Sequence, residues 1–424
     1  MKLNLRLSGL WRHSEFLKLW TGQTISQLGS QITLLALPLT AVLNLKATPF
    51  EMGILGAAEF LPFVLVGLFA GVWVDRMYRR PILIAADVGR TLLLGSIPAA
   101  ALLGVLRIEQ LYIVAFLVGI MTVFFDVAYQ SYLPALVSRQ ELIEGNSKLE
   151  VSRSVAAIAG PGMAGALVQI VTAPIAILLD ALSFLVSVVS LLIIKTVEPP
   201  PPPAHQRRSM WHEIREGMGV VLGNPALRSI AGCTGTSNLF SNMIFAVYVL
   251  YLTRELGVSP GLIGLIYSIG SIGALGGAVI ASLMAQRLGL GLTLISVIFL
   301  GGVSTLLIPL AAGSIPVIAA FLIVSFFITS SASTIYNINQ VSLRQAITPD
   351  RLQGRMNASM RFIVWGTIPI GSLVGGALGN TIGLRPTLFV GAIGSLFPVL
   401  WLAFSPVRLL REQPEPYAEP LTGE

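Results

Sequence analysis

Three carboxylic acids stand inside long apolar stretches of this sequence of 424 residues: Glu59, Asp87 and Asp180. A charge at the centre of a lipid bilayer costs at least ~2.5 kcal/mol, so such a side chain usually faces a cavity or a partner. A carboxyl group that is removed from water can exchange protons near neutral pH. Glu59 has no local partner and is the first candidate to carry protons, and Asp180 is the second. The alternative is a neutral acid that hydrogen-bonds to a neighbouring helix.

Asp87, in contrast, has a basic neighbour. Arg90 follows three residues later, which places both side chains on one face of a helix, where they can pair. Because each charge then offsets the cost of the other, we interpret Asp87 and Arg90 as a structural ion pair rather than as proton carriers.

Several other kinds of chemistry are excluded by what the sequence lacks. The three histidines, His13, His205 and His212, lie in polar flanks, and Cys233 is the single cysteine. The sequence has no Gly-x-x-x-x-Gly-Lys loop that could cradle the phosphates of ATP. We therefore expect no catalytic residue, no metal site and no cofactor, and the protein is not predicted to be an enzyme.

The elements that must position these side chains follow from composition. Hydrophobic residues make up 54% of the chain and charged residues only 11%, whereas an average soluble domain is about a quarter charged. A water-soluble enzyme could not cover its surface with so few charges, so an all-α membrane protein is predicted. A spanning helix needs ~20 mostly apolar residues. Twelve such windows predict twelve transmembrane helices, at residues 17–43, 50–74, 81–105, 109–134, 146–171, 174–194, 227–252, 260–285, 291–311, 315–341, 357–379 and 385–405.

The basic residues predict the topology. Of the 27 Lys and Arg residues, Arg90 lies within a span, and the loops of one side carry only Lys46, Arg107, Arg254 and Arg385. All the others fall on the side of the N-terminus. By the positive-inside rule, both termini are cytoplasmic and the number of spans is even. We expect a multi-pass protein of the cell membrane.

The chain repeats itself at an offset of 211 residues. Pro49 and Gly53 recur as Pro260 and Gly264, and the glycines at 160 and 165 recur at 371 and 376. Each half holds an even number of spans, so the two six-helix halves form a parallel repeat, an arrangement found in one class of secondary transporter. The predicted division is an N-terminal half at 1–194, a linker at 195–225, a C-terminal half at 226–411 and a disordered tail at 412–424.

The linker at 195–225 is expected to be cytoplasmic. It contains five consecutive prolines, Pro199 to Pro203, which predict a stiff extended spacer. Residues 210–222 then predict a short amphipathic helix at the membrane surface. The alternative is that the linker serves as a tether between the halves and nothing more.

A charged motif follows the second span. Its residues are Gly71, Asp75, Arg76, Arg79 and Arg80, and the spacing resembles the loop 2–3 signature of the major facilitator superfamily. The resemblance implies a cytoplasmic gate, in which the Asp75 carboxylate faces the N-terminal end of a helix of the other half. Arg79 or Arg80 would then pair with Asp126. The alternative is an anchor that fixes only the topology.

Two further stretches resemble the enterobactin-exporter and macrolide-efflux branch of this superfamily. They run from Leu133-Pro134 to Gly165 and from Thr348-Pro349 to Gly371. The motif of Gly160, Pro161 and Gly165 is similar to the antiporter signature of proton-coupled drug exporters, although Ala164 stands where that signature usually has a second glycine. The resemblance implies export.

Uncharged polar residues recur on two repeat-related spans. Gln23, Gln27 and Gln31 are spaced four apart, and the offset maps them to Thr234, Asn238 and Asn242. They predict a shared lining of a central cavity, or equally a set of hydrogen bonds between neighbouring helices. Aromatic residues in the same windows favour a bulky amphiphilic substrate over a sugar or a small anion.

Together these features predict a major facilitator of twelve helices that exports an amphiphilic drug, macrolide or siderophore in exchange for protons. Its partners would be this small molecule, protons and the lipid bilayer, without nucleic acid, and we expect a monomer. Two alternatives stay open: an importer or lipid flippase of the same fold, and a membrane sensor or binding protein that transports nothing.

Overall fold

The computed structural model describes residues 9–74, 76–138, 140–196, 198 and 210–412, without the side chains of Leu68, Val72 and 210–214. The described chain is helical and contains no strand, which confirms the all-α fold class. The first group of helices is α1 (Ser14–Leu39), α2 (Pro49–Leu65), α3 (Gly67–Val74), α4 (Arg79–Leu102), α5 (Ile108–Leu136), α6 (Leu142–Val171) and α7 (Ala173–Leu192). The second group is α8 (Met210–Gly223), α9 (Pro225–Leu250), α10 (Pro260–Leu288), α11 (Leu290–Thr305), α12 (Leu307–Leu310), α13 (Ile315–Ala346), α14 (Asp350–Thr381), α15 (Leu384–Gly394) and α16 (Pro398–Ala403).

Ten segments in the described residues are individually long and apolar enough to cross a bilayer. The remaining two predicted windows are also helical, but their helices do not meet this requirement of length and apolarity. Window 50–74 is divided at Val66 into α2 and α3, because Pro62 removes a backbone donor and Gly67 has low helix propensity. Window 227–252 is covered by α9, which is 26 residues long but carries polar side chains along its length, and by the helical turn that follows it. The count of twelve spans is therefore consistent with the structure.

The chain packs as two units. One consists of Met1–Lys46 and Leu65–Arg207, and the other of Ala47–Val64 and Arg208–Glu424. The second unit therefore contains α2 together with the helices that follow the linker. The sequence repeat alone assigns α2 to the first half, so packing groups this helix differently from the repeat.

In the first unit, α1 approaches α7 along small side chains. A Cβ on Gly22 would lie 2.8 Å from Ser190 Cβ, and a Cβ on Gly29 would lie 2.6 Å from Asp180 Oδ1. Lipid supplies no hydrophobic force between helices, so close approach of small residues is what stabilises such pairs. The buried apolar cluster beside this contact includes Leu10, Phe16, Leu19, Val74, Leu83, Tyr132 and Leu191.

In the second unit, α9 packs along α14. Gly371 lies directly against the Leu239 carbonyl, and a Cβ on Gly375 would collide with the backbone of Met243. A side chain at either position would push the two helices apart. This contact fixes α14 on one side and leaves another of its faces for α2.

Some long helices begin with a side-chain cap from the residue that precedes them. The Nδ1 atom of His13 accepts from Phe16 N at 3.1 Å, and Asn224 Oδ1 accepts from Ala226 N at 2.9 Å. Helix α4 is one of the helices without such a cap, because the side chain of Tyr78, which precedes it, forms no capping hydrogen bond. Its first N–H groups are satisfied from elsewhere in the chain.

Candidate functional site

Asp87 and Arg90 lie in contact inside the first unit. Arg90 Nη2 donates to Asp87 Oδ1, and the two residues are 5% and 0% exposed. The guanidinium carbon lies 4.2 Å from the ring centre of Phe125 and 4.3 Å from that of Phe184. A buried cation is therefore held by one carboxylate and by the faces of two rings.

Asp180 lies close to this pair, on α7. Ser183 Oγ donates to its Oδ1 atom at 3.1 Å, and the same oxygen lies against Gly29 of α1. The residue is 1% exposed, and Phe184, four residues further along α7, has the Arg90 guanidinium over its ring. The second proton-carrier candidate is thus part of a buried polar cluster that joins α1, α4 and α7.

Glu59 is placed differently from Asp180. It is half-buried on α2, and within the described residues its carboxyl forms neither a hydrogen bond nor an ion pair. A carboxyl that is partly reachable and has no partner in the described chain can accept a proton or a ligand group. This arrangement is expected of a residue that binds a proton or a ligand, rather than of one that only stabilises the fold.

Helix α2 contacts α14 both before and after Glu59. On one side of Glu59, a Cβ on Gly53 would lie 2.7 Å from Ser372 O. On the other side, the rings of Phe63 and Trp365 meet edge to face with their centres 4.9 Å apart. Arg361 stacks on Trp365, with its guanidinium carbon 4.1 Å from the ring centre. Glu59 therefore lies between a close backbone contact and an aromatic cluster.

A further contact ties the chain before α2 to the same unit. Arg254 Nη2 donates to Ala47 O at 2.8 Å. Arg254 follows α9, so the start of α2 is held by the α9–α10 connection as well as by α14.

The polar stripe of span 1 lies at helix contacts. Gln23 Nε2 donates to Ser187 Oγ at 3.2 Å, and Gln31 packs directly against Gly160. Gln27 is half-buried and forms no hydrogen bond with the described residues. The contacts of Gln23 and Gln31 favour the second alternative, hydrogen bonding and packing between helices. For Gln27, the cavity lining stays a prediction.

The corresponding residues of α9 also make contacts. Thr234 Oγ1 and Tyr336 Oη are 2.8 Å apart, and Asn238 Nδ2 donates to Val364 O at 3.0 Å. Asn242 Nδ2 donates to Asn238 O at 2.8 Å. Thr234 and Asn238 thus join α9 to α13 and α14.

The signature residues are only partly brought together. Asp75 lies outside the described residues. A Cβ on Gly71 would meet no described atom within 4 Å, so close packing does not explain this glycine here. Arg76 is exposed, whereas Arg79 and Arg80 bond to Glu198 and to the end of α7. Asp126 is half-buried on α5, and its pairing with an arginine stays a prediction.

The residues of the antiporter-like motif are buried within α6. Gly160 provides the surface on which Gln31 lies, and Pro161 and Gly165 are buried on the same helix. Among the described residues, no three His, Cys, Asp or Glu side chains gather as a metal site.

Two site residues were not found from the sequence. Glu198 follows the sixth span, and its contact with Arg79, 119 residues earlier, has no signal in the sequence. The charge count assigns Arg361 to the cytoplasmic flank, but the structure places it within α14. Its spacing of four residues from Trp365 is the pattern that predicts contact on a helix.

The family described as transmembrane secretion effector matches residues 8–421. The multidrug efflux pump Tap of Mycolicibacterium fortuitum is 26% identical over 396 residues, which are 88% of this chain and 93% of that protein. Macrolide efflux protein A of Streptococcus pyogenes is 24% identical over 374 residues, which are 88% of this chain and 91% of the relative.

Solved structures show the same fold. A nucleoside transporter superposes with a TM-score of 0.74 at 13% identity, covering 92% of this chain and 99% of the other. A bacterial homologue of the iron transporter ferroportin superposes with a TM-score of 0.67 at 18% identity, covering 92% of this chain and 98% of the other. At these identities the likeness concerns the fold alone.

Proposed function

Since the chain belongs to the major facilitator superfamily, as one of its transmembrane secretion effectors, we propose that it exports amphiphilic drugs, macrolides or siderophores in exchange for protons. It is a multi-pass membrane transporter with efflux pumps among its relatives, and not an enzyme. The predicted resemblance to this superfamily and to its efflux branch is confirmed. In the proposed cycle, one binding site opens first to one side of the cell membrane and then to the other, with both termini in the cytoplasm.

The observation that carries the proton-coupling proposal is the environment of Glu59. Its carboxyl has no partner among the described residues, so a negative charge there is not offset by a cation or a hydrogen bond. Protonation removes this charge and breaks no ion pair or hydrogen bond with the described residues. A proton can therefore bind and leave at Glu59 as access to water changes.

Access to Glu59 would be controlled by the contact between α2 and α14. With cytoplasmic termini, α2 begins and α14 ends on the outer side of the membrane, so Gly53 and Gly376 belong to the outer parts of these two helices. Separation of these glycines would admit water and a proton from outside. Their close contact would seal that side, after which the proton leaves towards the cytoplasm.

The same surroundings support an amphiphilic substrate. The ring faces of Phe63 and Trp365 can stack on an apolar or aromatic group, and a carboxylate one turn away can attract a protonated amine. Substrate and proton would then compete for Glu59, which couples inward proton flow to outward substrate flow. Asp180 is the second candidate for this role, because it is a buried acid whose neutral partner is Ser183.

Flux measurements test the proposal against its two rivals. Everted membrane vesicles are energised with a proton gradient and supplied with a panel of fluorescent amphiphiles and macrolides. Export predicts accumulation inside the vesicles that stops when the gradient is collapsed. Accumulation only in vesicles of native orientation would indicate an importer, and movement of labelled lipid would indicate a flippase. The absence of gradient-dependent flux for every compound would overturn the export proposal and favour a sensor.

A further inference from the structure

The start of α4 has no cap of its own. Tyr78 makes no side-chain cap, and no acidic residue lies in the first turn. The unpaired N–H groups and the positive end of the helix dipole therefore stand beside two arginines, Arg79 and Arg80. Positive charge accumulates at this helix end unless another part of the chain supplies an anion.

Glu198 supplies that anion from 119 positions along the chain. Both of its carboxylate oxygens lie 2.8 Å from Arg79 N, and Oε2 also accepts from Arg80 N at 3.2 Å. Arg79 Nη1 lies 3.2 Å from Oε1, and the Glu198 side chain is 6% exposed. One buried carboxylate thus neutralises the helix end and an arginine of the signature at once.

Arg80 makes the reverse connection. Its Nε atom donates to Leu191 O at 2.9 Å and its Nη2 atom to Leu192 O at 2.8 Å. These are among the last carbonyl groups of α7, which have no partner within their own helix. Glu198, just after α7, therefore caps α4, while Arg80, at the start of α4, caps α7.

The path of the chain between α7 and Glu198 is also held by α1. Lys18 Nζ donates to Ile193 O at 3.0 Å, and Glu15 Oε2 accepts from Lys195 N at 2.7 Å. Hydrogen bonds therefore hold the chain at the start of the linker at several points. They place Glu198 in a defined position beside the start of α4.

We infer that Glu198 is a positioning residue of the cytoplasmic gate, which acts through Arg79 to fix the start of α4, with Arg79 and Arg80 of the signature, against the end of α7. The inference rests on the proposed transport function and on the cytoplasmic gate that the resemblance of the signature residues implies. On this inference, the beginning of the linker contributes to the gate of the first unit and does not serve only as a tether. Loss of the carboxylate leaves Arg79 without its anion and loosens the first turn of α4.

The test compares Glu198→Gln, Arg79→Gln and the double variant with the intact protein, using Glu150→Gln as a control. Glu150 pairs with Arg153 on the surface, where the side chains are 60% and 65% exposed. We expect Glu198→Gln to lower the maximal efflux rate about tenfold. The KM should stay within about twofold, because the residue does not touch substrate. The double variant should be no slower than the slower single variant, since both remove the same interaction.

A second measurement does not depend on transport. Hydrogen–deuterium exchange of the peptide covering residues 76–83 should be about tenfold faster in Glu198→Gln, with other helices unchanged. Glu198→Asp keeps the charge with a shorter reach and should give intermediate values for both readouts. This milder variant keeps the inference testable if Glu198→Gln folds poorly.

The outcomes separate the inference from the function on which it rests. Normal efflux by Glu198→Gln, or defects that multiply in the double variant, would overturn the inference while export stands. If the intact protein moves no compound, the proposed function fails. Hydrogen–deuterium exchange at residues 76–83 is then the only remaining test of the inference. An unchanged exchange rate in Glu198→Gln overturns the positioning role.

Discussion

Gly53 of α2 and Gly376 of α14 meet backbone to backbone. A Cβ on Gly53 would lie 2.9 Å from Gly376 Cα, and a Cβ on Gly376 would lie 2.8 Å from Gly53 Cα. The contact continues at Gly379, where a Cβ would lie 2.9 Å from Pro49 Cβ. Backbone atoms cannot rotate away as a flexible side chain can, so even one methyl group at this position forces the helices apart.

Gly53→Ala should therefore destabilise the packing of α2 on α14. We expect a loss of about 1–3 kcal/mol, the usual cost of overpacking. Thermal unfolding of the purified protein in detergent measures this as a lower midpoint. Gly95→Ala is the matched control, because a Cβ there meets no described atom within 4 Å. Equal midpoints for the two variants would contradict the contact.

Glu59→Gln should abolish uphill efflux but leave substrate exchange across the membrane intact. The amide keeps the shape of the side chain and cannot carry a proton, so only the coupled reaction is lost. Energised vesicles measure uphill efflux, and exchange is followed without a gradient after loading both sides with substrate.

Comparison with Asp180→Asn tests which of the two carboxyl groups carries the proton. We expect it to retain uphill efflux, since Asp180 is buried in a bonded cluster with Ser183. The exposed Glu150→Gln variant serves again as the control for expression. Uphill efflux that survives in Glu59→Gln and disappears in Asp180→Asn would transfer the coupling role to Asp180.

The overall fold could be predicted because the bilayer imposes long apolar windows that are visible in composition. What composition could not show is how one window is divided. Averaged hydropathy treats residues 50–74 as one span, whereas the structure ends α2 at Leu65 and begins α3 at Gly67. Backbone hydrogen bonding around Pro62 decides this, and the mean hydropathy does not contain that information.

Contacts in the site were predictable only where they are local. The spacing of Asp87 and Arg90 on one helix face predicts their contact, and the structure places them together. Glu198 and Arg79 are 119 residues apart, and their contact depends on which helix ends meet. Nothing in the spacing of residues along the chain specifies that meeting.

Arg90→Gln should destabilise the first unit strongly. The substitution leaves Asp87 as a buried charge without its partner, which typically costs about 3–5 kcal/mol. It also removes the cation from between the rings of Phe125 and Phe184. The thermal midpoint of purified protein gives the size of the effect.

The double variant Asp87→Asn with Arg90→Gln provides the control for this interpretation. It removes both charges, so it should recover part of the lost stability if the unpaired carboxylate is the cause. Equal instability of the single and double variants would show instead that the ring contacts of Arg90 carry the effect. If the pair is purely structural, the double variant, once folded, should still perform uphill efflux.

Asn238 and Gln27 allow the two interpretations of the polar stripes to be separated. Asn238 Nδ2 bonds to Val364 O and joins α9 to α14, whereas Gln27 is half-buried without a hydrogen bond to the described residues. Asn238→Leu should therefore lower stability by about 1 kcal/mol, a typical value for a hydrogen bond between membrane helices. Its KM for each exported compound should stay within about twofold.

Gln27→Leu should have the opposite pattern if Gln27 contacts substrate. Stability should be unchanged, because no hydrogen bond to the described residues is lost, while KM should rise by about tenfold for compounds with a polar group that the amide can bind. Thermal midpoints and concentration-dependent efflux rates of both variants, measured on the same compounds, give the comparison. A stability loss without a KM change in Gln27→Leu would mean that this amide, like Gln23, only joins helices.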